Sequence, residues 1–130
     1  MTTKEFAFQT TTGEYDLEAH VRLIGRDCLV AIWGGDKPHI GAVAVAHPRP
    51  SLKDSTKISA SSSVICFLGH KEDDLAKSAA EILAAAFNTS VVVTAGIHWD
   101  NLDEAGIKKS ISHSRMLVEM IRDGVQAFIP

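Results

Sequence analysis

Much is missing from this chain of 130 residues. It has one tyrosine and two cysteines, and aromatic residues make up only 6%. No apolar stretch is long; Cys28 to Trp33 is typical. A membrane-spanning helix needs about 20 consecutive apolar residues, so none is expected. The N-terminal Met-Thr-Thr-Lys-Glu-Phe lacks a basic region followed by an apolar stretch, which predicts no secretory signal. Neither Cys28 nor Cys66 belongs to a CxxC pair. Both sit in apolar runs, so buried, reduced thiols and a cytoplasmic protein are expected, not a disulfide or a zinc site. Lys and Arg form no run and the pI is about 6.0, which argues against nucleic-acid binding. No basic amphipathic helix suggests membrane attachment. Glycine-rich phosphate loops and a Gly-x-Ser-x-Gly elbow are also missing, which disfavours those modes of nucleotide binding and serine catalysis.

What is present is a hydrophobic fraction of 45%, a net charge of −3 and six histidines. That composition excludes disorder, and the length fits one domain spanning 1–130 with a core of its own. Protonating every histidine would take the charge from −3 to +3, so the charge is pH-sensitive.

Periodicity supplies the elements. Phe6 and Phe8 mark a short first strand, and Tyr15 to Leu23 alternates cleanly as a half-buried second. Cys28–Trp33 reads as a third strand covered on both faces, Ile40–Ala46 as a fourth and Ser62–Leu68 as a fifth. Between the last two, 47–60 reads as a long structureless loop. Lys71–Phe87 has helical spacing with Asn88 as its stop, Val91–Thr94 is a sixth strand, and Asp103–Arg122 a second helix. Asn101 and Glu104 are spaced as a capping box, with Gly124 as a stop. The order βββββαβα predicts an α+β fold: a mostly antiparallel sheet of about six strands with two helices on one face. If strands three to five form a meander and strand six returns parallel to strand five, three segments share one edge. They are Trp33–Gly41, Gly69–Asp73 and Gly96–Asp100. This edge collects His39, His70 and His98.

Those histidines admit two readings. They could serve a small metal- or His-dependent enzyme, although no HxH or HxxxH spacing supports a metal. Alternatively, Trp99 could stack on a planar anionic ligand, with Lys37, Lys71, His39 and His70 supplying positive charge. Trp33 reads as core. Glu72, Asp73 and Asp74 read as a solvated helix start that favours the helix dipole. His20 and His113 are expected on polar faces, and His47 is undecided.

The stretches Gly34–Leu52, Gly69–Asp73 and Val92–Asn101 together resemble the prenylated-flavin chaperone-like family, small subunit-D proteins of gallate and related hydroxyaryl-acid decarboxylases. The resemblance implies a fold similar to proteasome-assembly chaperones and a tendency to dimerise. It implies a non-catalytic accessory that helps a UbiD-type aromatic acid decarboxylase acquire or mature prenylated FMN. A pure protein-assembly chaperone is the further alternative. Carried onto this chain, the resemblance points to His39, Arg49, His70, Lys71, His98 and Asp100, beside Trp99. Arg49 suits a phosphate through its planar fork, although the expected topology sets it at the far edge.

Overall fold

The computed structural model describes residues 4–67 and 72–130. In chain order they form β1 (Glu5–Gln9), β2 (Leu17–Ile24), β3 (Asp27–Gly35), β4 (Ala42–Pro50), β5 (Ile58–Cys66), α1 (Asp73–Phe87), β6 (Val91–His98) and α2 (Glu104–Val125), then a short 3-10 turn, Gln126–Phe128. The six strands make one mixed sheet in the order β1-β2-β3-β6-β4-β5. Both helices pack on one face of it: α1 over β4, β5 and β6, and α2 over β1 and β2. The α+β architecture expected from the element order is therefore present. Among the described residues, no helix is long and apolar enough to cross a membrane.

The strand order differs from the expected meander. β6 is inserted between β3 and β4, parallel to β3 and antiparallel to β4. Its Val91-Val-Val run suits the middle of the sheet, where both edges are paired. β5 is antiparallel to β4, as expected, but does not touch β6. The segment 47–60 is not a loop either. β4 runs on to Pro50 and β5 begins at Ile58, leaving a connection of 51–57. Pro48 and Pro50 are tolerated because β6 begins at Val91, opposite Ala46, so beyond it that edge of β4 asks for no further N–H donors.

Alternation explains the core. Leu17, Ala19, Val21 and Leu23 of β2 are buried under the helices together with Cys28, Val30 and Ile32 of β3. Ala42, Ala44 and Ala46 of β4 and Val91, Val93 and Ala95 of β6 complete that face. Helix α1 meets it through Ala76, Ala79, Ala80, Leu83, Ala84 and Phe87, a mostly alanine surface that lets helix and sheet approach closely. β3 is thus covered on one side only, and Leu29, which alternation turns outward, is 41% exposed.

The helix ends also correct the sequence reading. Asn88 does close α1, in the left-handed conformation with φ 51°. The cap of α2 is Asp103, whose carboxylate accepts from the Gly106 N–H at 2.7 Å, instead of the Asn101–Glu104 box. Gly124 does not stop α2; it lies inside the helix, where a Cβ would come within 2.7 Å of the Phe8 ring. Ile107 and Ile111 of α2 are about half exposed.

Candidate functional site

One end of the sheet carries the polar cluster. There the carboxyl ends of β3 and β6 lie side by side, Gly35 opposite His98. The connection from β3 to β4 must skip across β6, and it does so on backbone contacts. The N–H groups of Asp36 and Lys37 donate to the His98 carbonyl at 2.7 and 3.3 Å, and Gly41 N–H donates to Ala95. Two glycines permit this crossing. A Cβ on Gly35, whose φ is +91°, would sit 1.9 Å from the His98 carbonyl oxygen, and one on Gly96 would sit 1.5 Å from that of His39.

The crossing brings charged side chains together. Asp36 accepts from the Asp100 backbone N–H at 2.8 Å. His98 Nε2 lies 3.0 Å from Asp100 Oδ1, and Lys37 Nζ lies 3.6 Å from that same oxygen. Each of these groups is substantially exposed, so the ion pairs add little stability. Their role is to hold an imidazole and an ammonium beside one carboxylate.

His39 is held more deeply. Its Nδ1 faces the Lys37 carbonyl at 3.0 Å, so that nitrogen carries the hydrogen. Nε2 stands 3.0 Å from Glu72 Oε1, an ion pair when the ring takes its second proton. Glu72 is only 11% exposed at its side chain and accepts from the Ile97 backbone N–H at 3.2 Å. The solvated helix start expected for Glu72 is therefore wrong. It precedes α1, yet its carboxylate turns inward and locks the helix start to β6 and to His39.

Trp99 follows directly. Its indole packs edge-on against Tyr15, with ring centroids 5.1 Å apart. Its Nε1 is buried and has no hydrogen-bond partner among the described residues. A buried donor left unmet costs about 1–3 kcal/mol. Behind Tyr15 stands His113, which was expected on a polar face but is 7% exposed, its Nδ1 2.7 Å from the Tyr15 carbonyl.

The structure thus brings His39, His98, Trp99 and Asp100 to one end. Arg49 is at the other end of β4, where its Nε donates to Ser61 at 2.6 Å and its Nη1 to the Pro50 carbonyl. His70 and Lys71 lie outside the described residues. Asp36 and Glu72 belong to the cluster but were not singled out from sequence. Asp36 sat in a glycine-rich connection, and Glu72 in a run of acids that gives no clue which one turns inward. Trp33, read as core, faces the open side of the sheet and donates from Nε1 to Glu18 at 3.1 Å. Cys28 is buried, and that burial with neighbouring Asp27 pushes its thiol up to about 11, whereas Cys66, expected inside, is exposed. Among the described residues, no group of three or more His, Cys, Asp or Glu could hold a metal ion.

An α+β unit with two helices on one face of a six-stranded sheet is a fold shared with solved structures. A solved structure described as a novel chaperone complex for yeast 20S proteasome assembly matches 98% of this chain and 100% of that one, with a TM-score of 0.57 and 14% sequence identity. That likeness concerns the fold alone. Residues 11–126 match the family of prenylated flavin chaperone LpdD-like domains, and the chain belongs to that family. It is also similar to Protein LpdD of Lactiplantibacillus plantarum (strain ATCC BAA-793 / NCIMB 8826 / WCFS1), at 26% identity over 120 residues, which are 92% of this chain and 85% of that protein.

Proposed function

We propose that this protein is a cytoplasmic, non-catalytic accessory of a UbiD-type aromatic acid decarboxylase, and that it binds prenylated FMN in transit to that enzyme. The observation that carries the reading is the meeting of Lys37, His39 and His98 at one end of the sheet, with Trp99 next in the chain, in a member of a prenylated-flavin chaperone family. The donor set fits such a ligand. Lys37, His39 and His98 can face a phosphate or the flavin carbonyls, and Trp99 offers a buried N–H and an aromatic edge. His70 and Lys71, in the connection preceding Glu72, are proposed to join them. The prenylated flavin supplies its decarboxylation chemistry in the partner enzyme; here the side chains only bind and orient it. Cys28, at the far end of β3 from the cluster, is buried, and its thiol is pushed up to about 11.

The test is maturation. The decarboxylase, produced with the prenyltransferase that makes its cofactor, is purified with and without this protein. A higher flavin content and specific activity in its presence are expected. Equal content and activity would overturn the reading. The fold likeness to an assembly chaperone favours one rival, a chaperone of proteins alone. That rival predicts a stable complex with the decarboxylase and no response to the flavin. A metal- or His-dependent enzyme built on His39, His70 and His98 predicts stoichiometric metal in untagged protein.

A further inference from the structure

The two edges of the sheet are unlike. β1 is short, carries the Glu5–Arg22 ion pair, and is backed by α2 and by the Phe128 ring against Phe6. β5 is the other edge, nine residues from Ile58 to Cys66 with no charge, proline or glycine. Edge strands are ordinarily blunted by charge, proline, a bulge or a covering helix, because their unpaired backbone groups capture other chains. Among the described residues β5 has none of these devices. Its register with β4 runs unbroken from Pro50–Ile58 to Ala42–Cys66, and α1 lies inward, over β4 with β5 and β6 to either side.

The register shows which groups are offered. At one end of the β4–β5 ladder Ser51 N–H donates to the Lys57 carbonyl at 2.8 Å. At the other, Phe67 N–H donates to the Gly41 carbonyl at 2.9 Å. Successive residues of a strand turn their backbone groups to opposite sides. The odd-numbered residues from 57 to 67 therefore bond to β4, while Ile58, Ala60, Ser62 and Val64 turn N–H and C=O outward. The same parity points Pro48 and Pro50 away from β5, where no N–H is asked of them.

We propose that this edge takes up an extended acidic segment of a partner protein as a seventh strand, antiparallel to β5 and with a carboxylate at Arg49. The backbone selects an extended polypeptide. Donor and acceptor recur along the edge about every 6.6 Å, a repeat that a chain in the β conformation matches along its length. Arg49 selects the charge. Its Nε donates to Ser61 of β5 at 2.6 Å, which lays the guanidinium over the edge strand, and it forms no ion pair among the described residues. Lys53 and Lys57 stand at the same end of β5, and the Asp54 carboxylate between them accepts from the Thr56 N–H and hydroxyl. Antiparallel pairing, the more stable kind per residue, sets the acidic residues at the C-terminal end of the segment. A second copy does not meet these demands. Paired edge to edge about Ser62, it would set its Ile65 at the level of Arg49 and bring no carboxylate there. β1 and α2 lie at the opposite side of the sheet and cannot fill this edge.

Such binding does not need the flavin, so the test is run on the full chain without it. The probe is a fluorescein-labelled octapeptide of alternating threonine and valine that ends in two glutamates, followed by anisotropy. Saturable binding is expected, weakened about tenfold when the peptide ends in two lysines and lost when its amides are N-methylated. Ser62→Pro removes one outward N–H and should weaken binding about tenfold, whereas Ser62→Ala, which loses only the bond to Glu81, should not. Circular dichroism checks that Ser62→Pro is folded. Arg49→Glu, at the surface, tests the charge separately and should reverse the preference between the two peptides. Amide exchange gives the signature of an added strand. Without peptide, the N–H groups of 58, 60, 62 and 64 should exchange fast and those of 59, 61 and 63 slowly; peptide should slow the first set. Slow exchange of the first set without peptide would mean that a second copy holds the edge and would overturn the proposal. So would an absence of saturable binding, or a peptide preference that Arg49→Glu leaves unchanged.

Discussion

The two faces of the sheet are made from similar residues and do opposite things. Under α1 there is much alanine: Ala42, Ala44, Ala46, Ala60 and Ala95 on the strands meet Ala76, Ala79, Ala80 and Ala84 on the helix. One residue along, the open face carries larger side chains, Val43 and Val45 beside Ala44. The smaller side chain is the buried one. Small residues let α1 approach the sheet closely, while the bulkier Val43 and Val45 of β4 face outward. Apolar content alone does not say which face is the core; the helices packed on it do.

Substitutions at neighbouring positions break this contrast. Leu83→Ala, at a fully buried position of α1, should cost about 2–5 kcal/mol, read as a shift in the denaturant midpoint with an unchanged slope. Ala44→Leu forces three extra carbons against α1 and should cost about 1–3 kcal/mol. Val45→Leu, next in the chain, should leave stability within about 0.5 kcal/mol. Equal costs at 44 and 45 would refute the assignment of the two faces. Gly96→Ala, whose Cβ would collide with the His39 carbonyl, should cost about 2 kcal/mol or more and raise amide exchange at 36–41 relative to the strands.

Smaller effects separate the two cysteines and the β1–β2 turn. A thiol reagent should label Cys66 rapidly and Cys28 only on unfolding, since Cys28 is buried and its thiol raised to about 11. Similar rates would contradict the placement of β3. Asp16 is held well below the usual carboxylate range by the backbone N–H of Thr12, with Gly13, Thr10 and the Thr12 hydroxyl adding to it. A depressed carboxylate stabilises the fold above its unfolded value of about 3.9 and loses that stabilisation as pH falls. Asp16→Asn should therefore lower the melting temperature at pH 7, and the gap to wild type should narrow below about pH 4.

Element types were legible in the sequence because alternation and helical spacing are local. The convergence of His39 and His98 was legible too, since the ends of β3 and β6 and the start of β4 share an edge under either topology. Strand order was not. Nothing local in Val91–Thr94 says that it slips between β3 and β4, a choice made by burial of the most apolar strand. The apolar open face made Cys28–Trp33 look covered on both sides, and Cys66, on the same face as Ala42, looked internal because nothing local shows that it ends an edge strand. Pro48 and Pro50 hid the extension of β4, because proline is tolerated where an edge lacks a partner. Glu72 escaped notice because burial, not residue type, distinguishes it from Asp73 and Asp74.

The central claim is that the His39–His98–Trp99 end of the sheet receives a prenylated flavin. In a Trp33→Phe variant, Trp99 is the one remaining tryptophan, and its emission can be followed during titration with prenylated FMN and with FMN. Saturable quenching by the prenylated flavin is expected, weakened about tenfold or more by His39→Ala or His98→Ala. Quenching that does not saturate, or that neither histidine affects, would contradict the account.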